Sequence, residues 1–503
     1  MPEATDFTPY STARNLMGVL PTWMSEWDAQ RITAYQIYEQ IYWNVSDTFK
    51  LLQRGTNNQP IYVPAGRIVI DTTDRYTATG FGYMPDPAFG STSDQANAAL
   101  AFKQLFDRER FLSKFAYNKK AGLMRGDWAF HIVADPLKPE GKRISIYTVD
   151  PAAIFYVEHP TDLEKVQGVH LIEQYVEGDK TYIKRQTYSK GPNPYDPEAD
   201  DGKIWSSLTI QDIEKWNDPD GDPVRVEVKP YPLPDIITAL PVYHIRNQEE
   251  SGSLWGSSEL RGHERLLAAL NQAISDEELS LALDGLGMYA TNSGPPQVNG
   301  QDSNWILGPG RVVELNGRGG GEDKVFFERV DGIGSVEPYT DHIKTIMDFL
   351  REGSSTPQIA SGAVDVSVAE SGIALTLRMS PMLSKTEVKD IGIRDVMVQM
   401  FYDLKAWLQA YEGVNTGEAL VAPVFGQKLP VNVEEEVGRI LKMVEAKVAS
   451  PQWARTELAK YGYEFAADED ALIAAATASV AAAADPFAAR AAEEETATRQ
   501  GEV

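Results

Sequence analysis

The sequence predicts an α+β fold in a definite order: a mixed α/β body, a long helix, a small insertion with strands, a returning helix, a longer helix and a helical end. Three observations predict it. Apolar residues recur at helical spacing in two stretches before residue 120. From 126 to 246 apolar and polar residues alternate between turn clusters, the period of half-buried strands. After Gly256 the helical period returns, and Leu260, Leu267, Leu270, Ile274 and Leu281 lie at offsets 0, 7, 10, 14 and 21, a heptad-like stripe.

The elements follow in chain order. Residues 27 to 53 read as a helix, with Trp27, Ile32, Tyr35, Tyr38 and Tyr42 roughly on one face. Ile61, Val63, Ile68, Val69 and Ile70 suggest short strands around Pro64-Ala65-Gly66. Residues 95 to 118 read as one helix through Ala98, Leu100, Phe102, Leu105, Phe111, Leu112 and Phe115. Strands are expected at Trp128 to Val133, Ile144 to Val149, Val169 to Tyr175 and Lys180 to Tyr188, with turns at Gly178-Asp179 and Gly191 to Pro194 and an acidic loop at Asp196 to Asp201. Ser257 is placed to cap a helix with Glu259 in its first turn, giving a rod of about 40 Å from Ser257 to Leu283 at 1.5 Å per residue. Residues 286 to 336 are rich in Gly, Pro and Asn, with strand-like Ile306-Leu307, Val312 to Leu315 and Val325 to Phe327. Ile343, Ile346, Met347 and Leu350 mark the returning helix, and Gly353 ends it. Small residues fill Ser354 to Gly372. A third helix is expected from about Ser384 to Tyr411, with Val388, Ile391, Val398, Phe401, Leu404 and Leu408 on its apolar side. Val433 to Ala449 and Trp453 to Tyr461 form a helical module, and Ala466 to Val503, with eight acidic and two basic residues, ends in a segment expected to be disordered.

Composition removes several classes of function. The 503 residues are 43% hydrophobic and 24% charged, ordinary for a folded protein with a large core and more than one domain. There is no cysteine, so disulfides, thiolate metal sites and cysteine nucleophiles are excluded. Met1 to Pro21 carries Glu3, Asp6 and Arg14 and lacks an apolar segment, so no secretory leader is expected. The apolar run Ala471 to Ala484 falls short of the ~20 residues of a membrane span. The net charge of −26 argues against a tight phosphate-binding surface, but it does not exclude looser DNA contact.

Catalytic motifs fail one by one. His263-Glu264 begins a metalloprotease string, but Leu267 occupies the second ligand position, and no two of the six histidines (131, 159, 170, 244, 263, 342) have helical ligand spacing. Gly317-Arg318-Gly319-Gly320-Gly321 is followed by Glu322-Asp323 where a phosphate loop needs lysine and a hydroxyl, so it reads as a hairpin tip. Asp218 to Asp222 would need a glutamate at the twelfth position of a calcium loop; Lys229 stands there, and an acidic turn is the simpler interpretation. The serine elbow G-x-S-x-G is absent, and nothing among 73 acidic residues singles out a carboxylate pair. No enzyme activity, metal or cofactor is expected.

Several strings, in their order, resemble the tailed-phage portal family. Trp255-Gly256-Ser257-Ser258-Glu259-Leu260, continuing to Leu270-Asn271, resembles the opening of that family's first stem helix. Gly126-Asp127-Trp128-Ala129 and the later Val149-Asp150-Pro151 resemble its wing β segment, and Ser371-Gly372-Ile373-Ala374-Leu375 to Leu383 and Lys385 resemble its approach to the long helix. The resemblance covers about 25 to 460. It implies a wing at 1–255, a stem helix at 256–285, a small α/β clip at 286–337, a second stem helix at 338–353, a tunnel loop at 354–369, a long wing helix at 370–430 and a crown at 431–480. An acidic tail follows at 481–503.

The resemblance further implies a homo-oligomeric ring of twelve copies at one vertex of a virion, assembled in the host cytoplasm, through which double-stranded DNA is packaged and ejected. Its partners would be the terminase large subunit, a head-completion adaptor, and major capsid and scaffolding proteins, with no membrane. Val364, Asp365, Val366, Ser367 and Val368 would touch DNA, and Lys344 and Arg351, seven residues apart, could face the channel or pair with Asp348 and Glu352. Trp305, Ile306, Phe326 and Phe327 could dock partners or form the clip's own core. Two other classes stay open at this point: another virion component of capsid or tail, told apart by ring-shaped particles, and a carboxylate-dependent hydrolase, told apart by activity.

Overall fold

The computed structural model describes residues 26–52, 60–159, 162–196, 202–212, 226–286, 288–291, 297–298, 301–302, 326–330, 337–362, 372–429, 433–459 and 472–473. They fall into two units, Met1–Gly426 and Gln427–Val503. The acidic turn at 218–222, the glycine run at 317–321, the strands at 306–307 and 312–315, and the tail at 481–503 lie outside the described residues, as does all but the first residue of the loop at 196–201.

The first unit begins with α1 (Glu26–Trp43), which buries Ile32, Tyr35, Tyr38 and Tyr42 and leaves Trp27 exposed. It is shorter than the period suggested, because Asn44 turns into the left-handed region at φ 55°, which asparagine tolerates. The short strands expected around Pro64 are instead a helix, α2 (Ala65–Tyr76). The run Ile68-Val69-Ile70 reads locally as strand, but Pro64 sits at the N-cap and the helix turns Val69 and Ile70 into a core while Ile68 stays exposed. Tertiary burial here overrides β propensity. A short strand, β1 (Gly82–Pro85), comes next.

The single helix expected over 95–118 is two, α3 (Thr92–Glu109) and α4 (Phe111–Arg125). Ser91 and Asp94 form a reciprocal capping box at the start of α3. Arg110 at φ 51° breaks the chain between them, and Phe106 and Phe111 then stack with ring centres 4.3 Å apart.

Eight strands follow: β2 (Asp127–Ala134), β3 (Ile144–Val149), β4 (Ile154–His159), β5 (Asp162–Glu177), β6 (Lys180–Lys190), β7 (Ile204–Asp212), β8 (Val226–Pro232) and β9 (Val242–Arg246). They form two antiparallel sheets, ordered β3-β2-β9 and β4-β5-β6-β7-β8. The β5–β6 hairpin closes at Gly178-Asp179, with Glu177 opposite Lys180, as the sequence indicates.

Then α5 (Glu264–Leu286) runs out, β10 (Met288–Thr291), β11 (Gln297–Val298), β12 (Gln301–Asp302) and β13 (Phe327–Val330) form the far end, and α6 (Glu337–Gly353) returns. Antiparallel pairing of Met288 with Val330 and Thr291 with Phe327 joins the two helices beyond their ends. Thus 264–353 holds an out-and-back hairpin with strand pairs at its tip. The helix expected from Ser257 starts seven residues later, so α5 is about 34 Å long at 1.5 Å per residue. Gly262 at φ +86° and the burial of Ser257 to Leu260 explain the delay.

The longest helix, α7 (Gly372–Trp407), contains Pro381 and passes into a wide turn at Leu408–Glu412. It begins well before the expected Ser384. Its buried side is Ile393, Met397, Met400, Phe401 and Leu404, whereas Val388, Ile391 and Val398, assigned to that side by the sequence, face outward. The helix is apolar on two sides, so periodicity alone could not say which one the core takes. Finally β14 (Val421–Val424) pairs with β1.

Among the described residues, two cores hold this unit. One joins α3, α4, the three-stranded sheet and α7 through Phe102, Phe106, Phe111, Phe130 and Phe401. The other gathers Ile41, Ile70, Leu123, Leu267 and Leu350 from α1, α2, α4, α5 and α6, fixing the near end of the hairpin to the body. In the second unit α8 (Val433–Glu445) and α9 (Pro451–Ala459) pack through Ile440, Ala454 and Leu458.

Candidate functional site

The hairpin is rooted where two of the sequence strings meet. Gly126, at φ +115°, ends α4, and its missing side chain leaves room for the backbone of Ser257 and Ser258 at 2.8 and 2.9 Å from an added Cβ. Asn247 and Gly126 are tied by a backbone bond of 2.8 Å, and the Ser258 hydroxyl donates to the Met124 carbonyl at 2.6 Å. Asp127 is fully buried and accepts from the Gly256 amide at 2.7 Å, from the Tyr35 hydroxyl, and pairs with His244 Nε2 at 2.7 Å. Burial, and then the Asp127 carboxylate, push the Tyr35 phenol far above its ordinary value, so it stays a donor. Arg31 closes the cluster: its guanidinium stacks 3.6 Å from the Trp255 ring centre and donates to the Pro151 and Ile154 carbonyls at 2.7 and 3.0 Å.

Beside this knot lies a buried ionic triad. Glu259, expected to sit in the first turn of a helix, instead points into the body and pairs with both Lys385 and Lys389 of α7. Lys389 also donates to the Asn247 side chain at 2.8 Å, and Lys385 to the Ser354 carbonyl at 2.7 Å and the Thr73 hydroxyl at 3.1 Å. Burial alone would raise the Glu259 carboxyl, but Lys389 and Lys385 outweigh it and hold it at about 2. Burial pulls Lys389 below its ordinary value, and Glu259 offsets part of that. One carboxylate therefore joins the segment feeding α5, the end of α6 and the body of α7. This triad is not foreseen from the sequence; its one local signal is two lysines a helical turn apart on α7.

The expected site residues are not gathered in one place. Lys344 and Arg351 share α6, 68% and 32% exposed, with Lys344 Nζ 3.5 Å from Asp341 and Arg351 3.2 Å from Asp348. Arg351 also lines an open groove of about 510 Å³ between α2 and α6, with Ile68, Met347 and Leu350. Phe326 is half exposed next to β13, its carbonyl accepting from the Thr291 hydroxyl at 2.7 Å, and Phe327 pairs with Thr291 through the backbone. Trp305 and Ile306, and the loop residues Val364, Asp365, Val366, Ser367 and Val368, lie outside the described residues.

His131 meets Tyr188 at 2.9 Å and His170 meets Thr187 at 2.8 Å, and among the described residues no cluster of three or more His, Asp or Glu could hold a metal ion. Also among the described residues, no helix is long and apolar enough to cross a membrane.

Comparison with known families gives a match over residues 57–460 to the family described as phage portal protein, SPP1 Gp6-like. The chain belongs to the phage portal family. The match spans the triad, the whole helical hairpin and the knot apart from Arg31 and Tyr35 of α1 in this portal chain. Curated proteins gave no match. Among solved structures, this portal chain is similar to one in the virion of a native gene transfer agent particle, at 12% identity and TM-score 0.42 over 90% of this chain and 99% of that one. It is similar also to one in the neck of an empty particle of that agent computed with C6 symmetry, at 11% identity and TM-score 0.44 over 90% and 98%. A third likeness is to the neck of the native particle computed with C12 symmetry, at 12% identity and TM-score 0.40 over 80% and 95%.

Proposed function

We propose that this portal-family chain is the subunit of a twelve-membered ring at one capsid vertex, forming the channel through which duplex DNA is packaged and later ejected. One observation carries the proposal: the family match runs from 57 to 460 and so includes the out-and-back hairpin and, apart from α1, the body that holds it. In that assignment α5 and α6 are the stem, the strands between them the clip, and α7 the long wing helix.

The physical properties support it. The hairpin buries Leu267, Leu270, Ile346 and Leu350 near its root, while Leu281 farther along and Phe349 on the outer side of α6 are exposed. Such a pair cannot cover itself, but neighbouring pairs in a closed ring can cover one another without leaving an edge. Duplex DNA carries one charge per ~1.7 Å of axis, and a wall of chains at −26 each repels it and prevents sticking. Lys344 and Arg351 would centre the duplex, and Val364 to Val368, with Asp365, would meet it as the tunnel loop. Trp305, Ile306, Phe326 and Phe327 would dock the terminase large subunit and then the head-completion adaptor. Major capsid and scaffolding proteins would surround the wing in the virion, assembled in the host cytoplasm.

The test is a packaging reaction with and without this chain. Shells assembled with it fill with nuclease-protected DNA, and shells lacking it remain empty. Equal protected DNA in both would refute the channel role.

A further inference from the structure

The outward face of α7 has no covering element among the described residues, yet it is patterned like a helix-packing surface. Leu377, Val388, Ile391, Val398 and Tyr402 are each 45% to 69% exposed. At 100° per residue they fall within about 80° of arc. Leu377, Ile391 and Val398 fall on one seven-residue repeat interrupted by exposed Ser384, and Val388 and Tyr402 lie on a second repeat four residues further on, with exposed Asp395 between them. Five of these seven positions are apolar, and an apolar seven-residue spacing suits a face that receives another helix. The stripe runs 25 residues, about 38 Å at 1.5 Å per residue.

The opposite face of α7 is already buried against the body, and a helix apolar on both sides needs cover on both. Charge indicates what supplies that cover. The chain as a whole stands at −26, so two copies repel each other. The exposed charged residues of α7, Arg378, Glu387, Arg394 and Asp395, sum to zero. This strip is therefore a place where a second copy approaches without opposing charge.

We infer that the Leu377–Tyr402 stripe of α7 is an intersubunit seam that receives a helix of a second copy of this chain. This deepens the ring proposed above and rests on it for its geometry. Two identical seams facing each other would close as a pair, so in a ring the docked helix comes from a different face of the neighbour.

The experiment compares the wild-type chain with Ile391→Lys and Val398→Lys by native mass spectrometry and sedimentation across a concentration series. Both positions are exposed, so thermal unfolding of the monomer stays unchanged and serves as the folding control. The inference expects assembly of each variant to need about tenfold or more higher concentration. Assembly of both variants at the wild-type concentration, with the wild type forming rings, overturns the seam and leaves the ring intact. A wild-type pair that both variants dissolve supports the seam and refutes the ring. A wild type that stays monomeric throughout overturns both.

Discussion

At the scale of single residues, Glu259 sets the strongest expectation. It is buried with two lysines, and removing one partner of a buried ion pair leaves uncompensated charge. Glu259→Gln is expected to destabilise the fold by about 3–5 kcal/mol in denaturant unfolding. A loss below about 1 kcal/mol, the range of an exposed pair, would show that the triad does not anchor the hairpin. His131 gives a pH signature. Burial, with Lys184 nearby, depresses its imidazole to about 3 from the ordinary 6.5. The unfolded chain therefore takes up a proton below pH 6.5 that the folded chain refuses until about pH 3, so stability is full above 6.5 and declines as pH falls through that window. The slope is at most about 1.4 kcal/mol per pH unit. In His131→Phe that component vanishes, and the stability gap between variant and wild type narrows from pH 7 to pH 5; a constant gap contradicts the assignment. If the proposed tunnel loop meets the duplex, Asp365→Lys slows packaging, and an unchanged rate removes the contact.

At the scale of elements, the hairpin divides into a rooted half and a bare half. Leu267 is buried in the second core, whereas Leu281 on the same stripe is half exposed. Leu267→Ala is expected to cost about 2–5 kcal/mol in the isolated chain, and Leu281→Ala less than about 0.5 kcal/mol there. In the assembled ring the second cost should rise; equal costs in both states would mean that neighbours do not cover the stripe. The same elements show what was legible in the sequence. Ile144 to Val149, the Gly178-Asp179 hairpin and the returning helix with Ile346 and Leu350 carry clean local periods, and they form as expected. Residues 65–76 carry a β-branched run whose helical state is decided by burial, and α7 carries two apolar sides between which no local pattern chooses. The root is the hardest case. Its strings around Gly126 and Trp255 stand out individually, but nothing local records that Gly256 reaches Asp127, 129 positions away, or that Glu259 turns inward to Lys385 and Lys389.

At the scale of the whole molecule, charge and the proposed assembly oppose each other. Twelve copies at −26 each must be held by interfaces and counter-ions against their own repulsion. Screening lengths fall from about 30 Å at 0.01 M salt to about 8 Å at 0.15 M, so ring formation is expected to strengthen over that range. The most direct measurement is negative-stain imaging of the purified chain, with native mass determined along the same salt series. The account predicts annular particles with a central hole and a mass of twelve chains, more abundant as salt rises. A species that remains a single chain at every salt and concentration, with no annulus in the images, would contradict it.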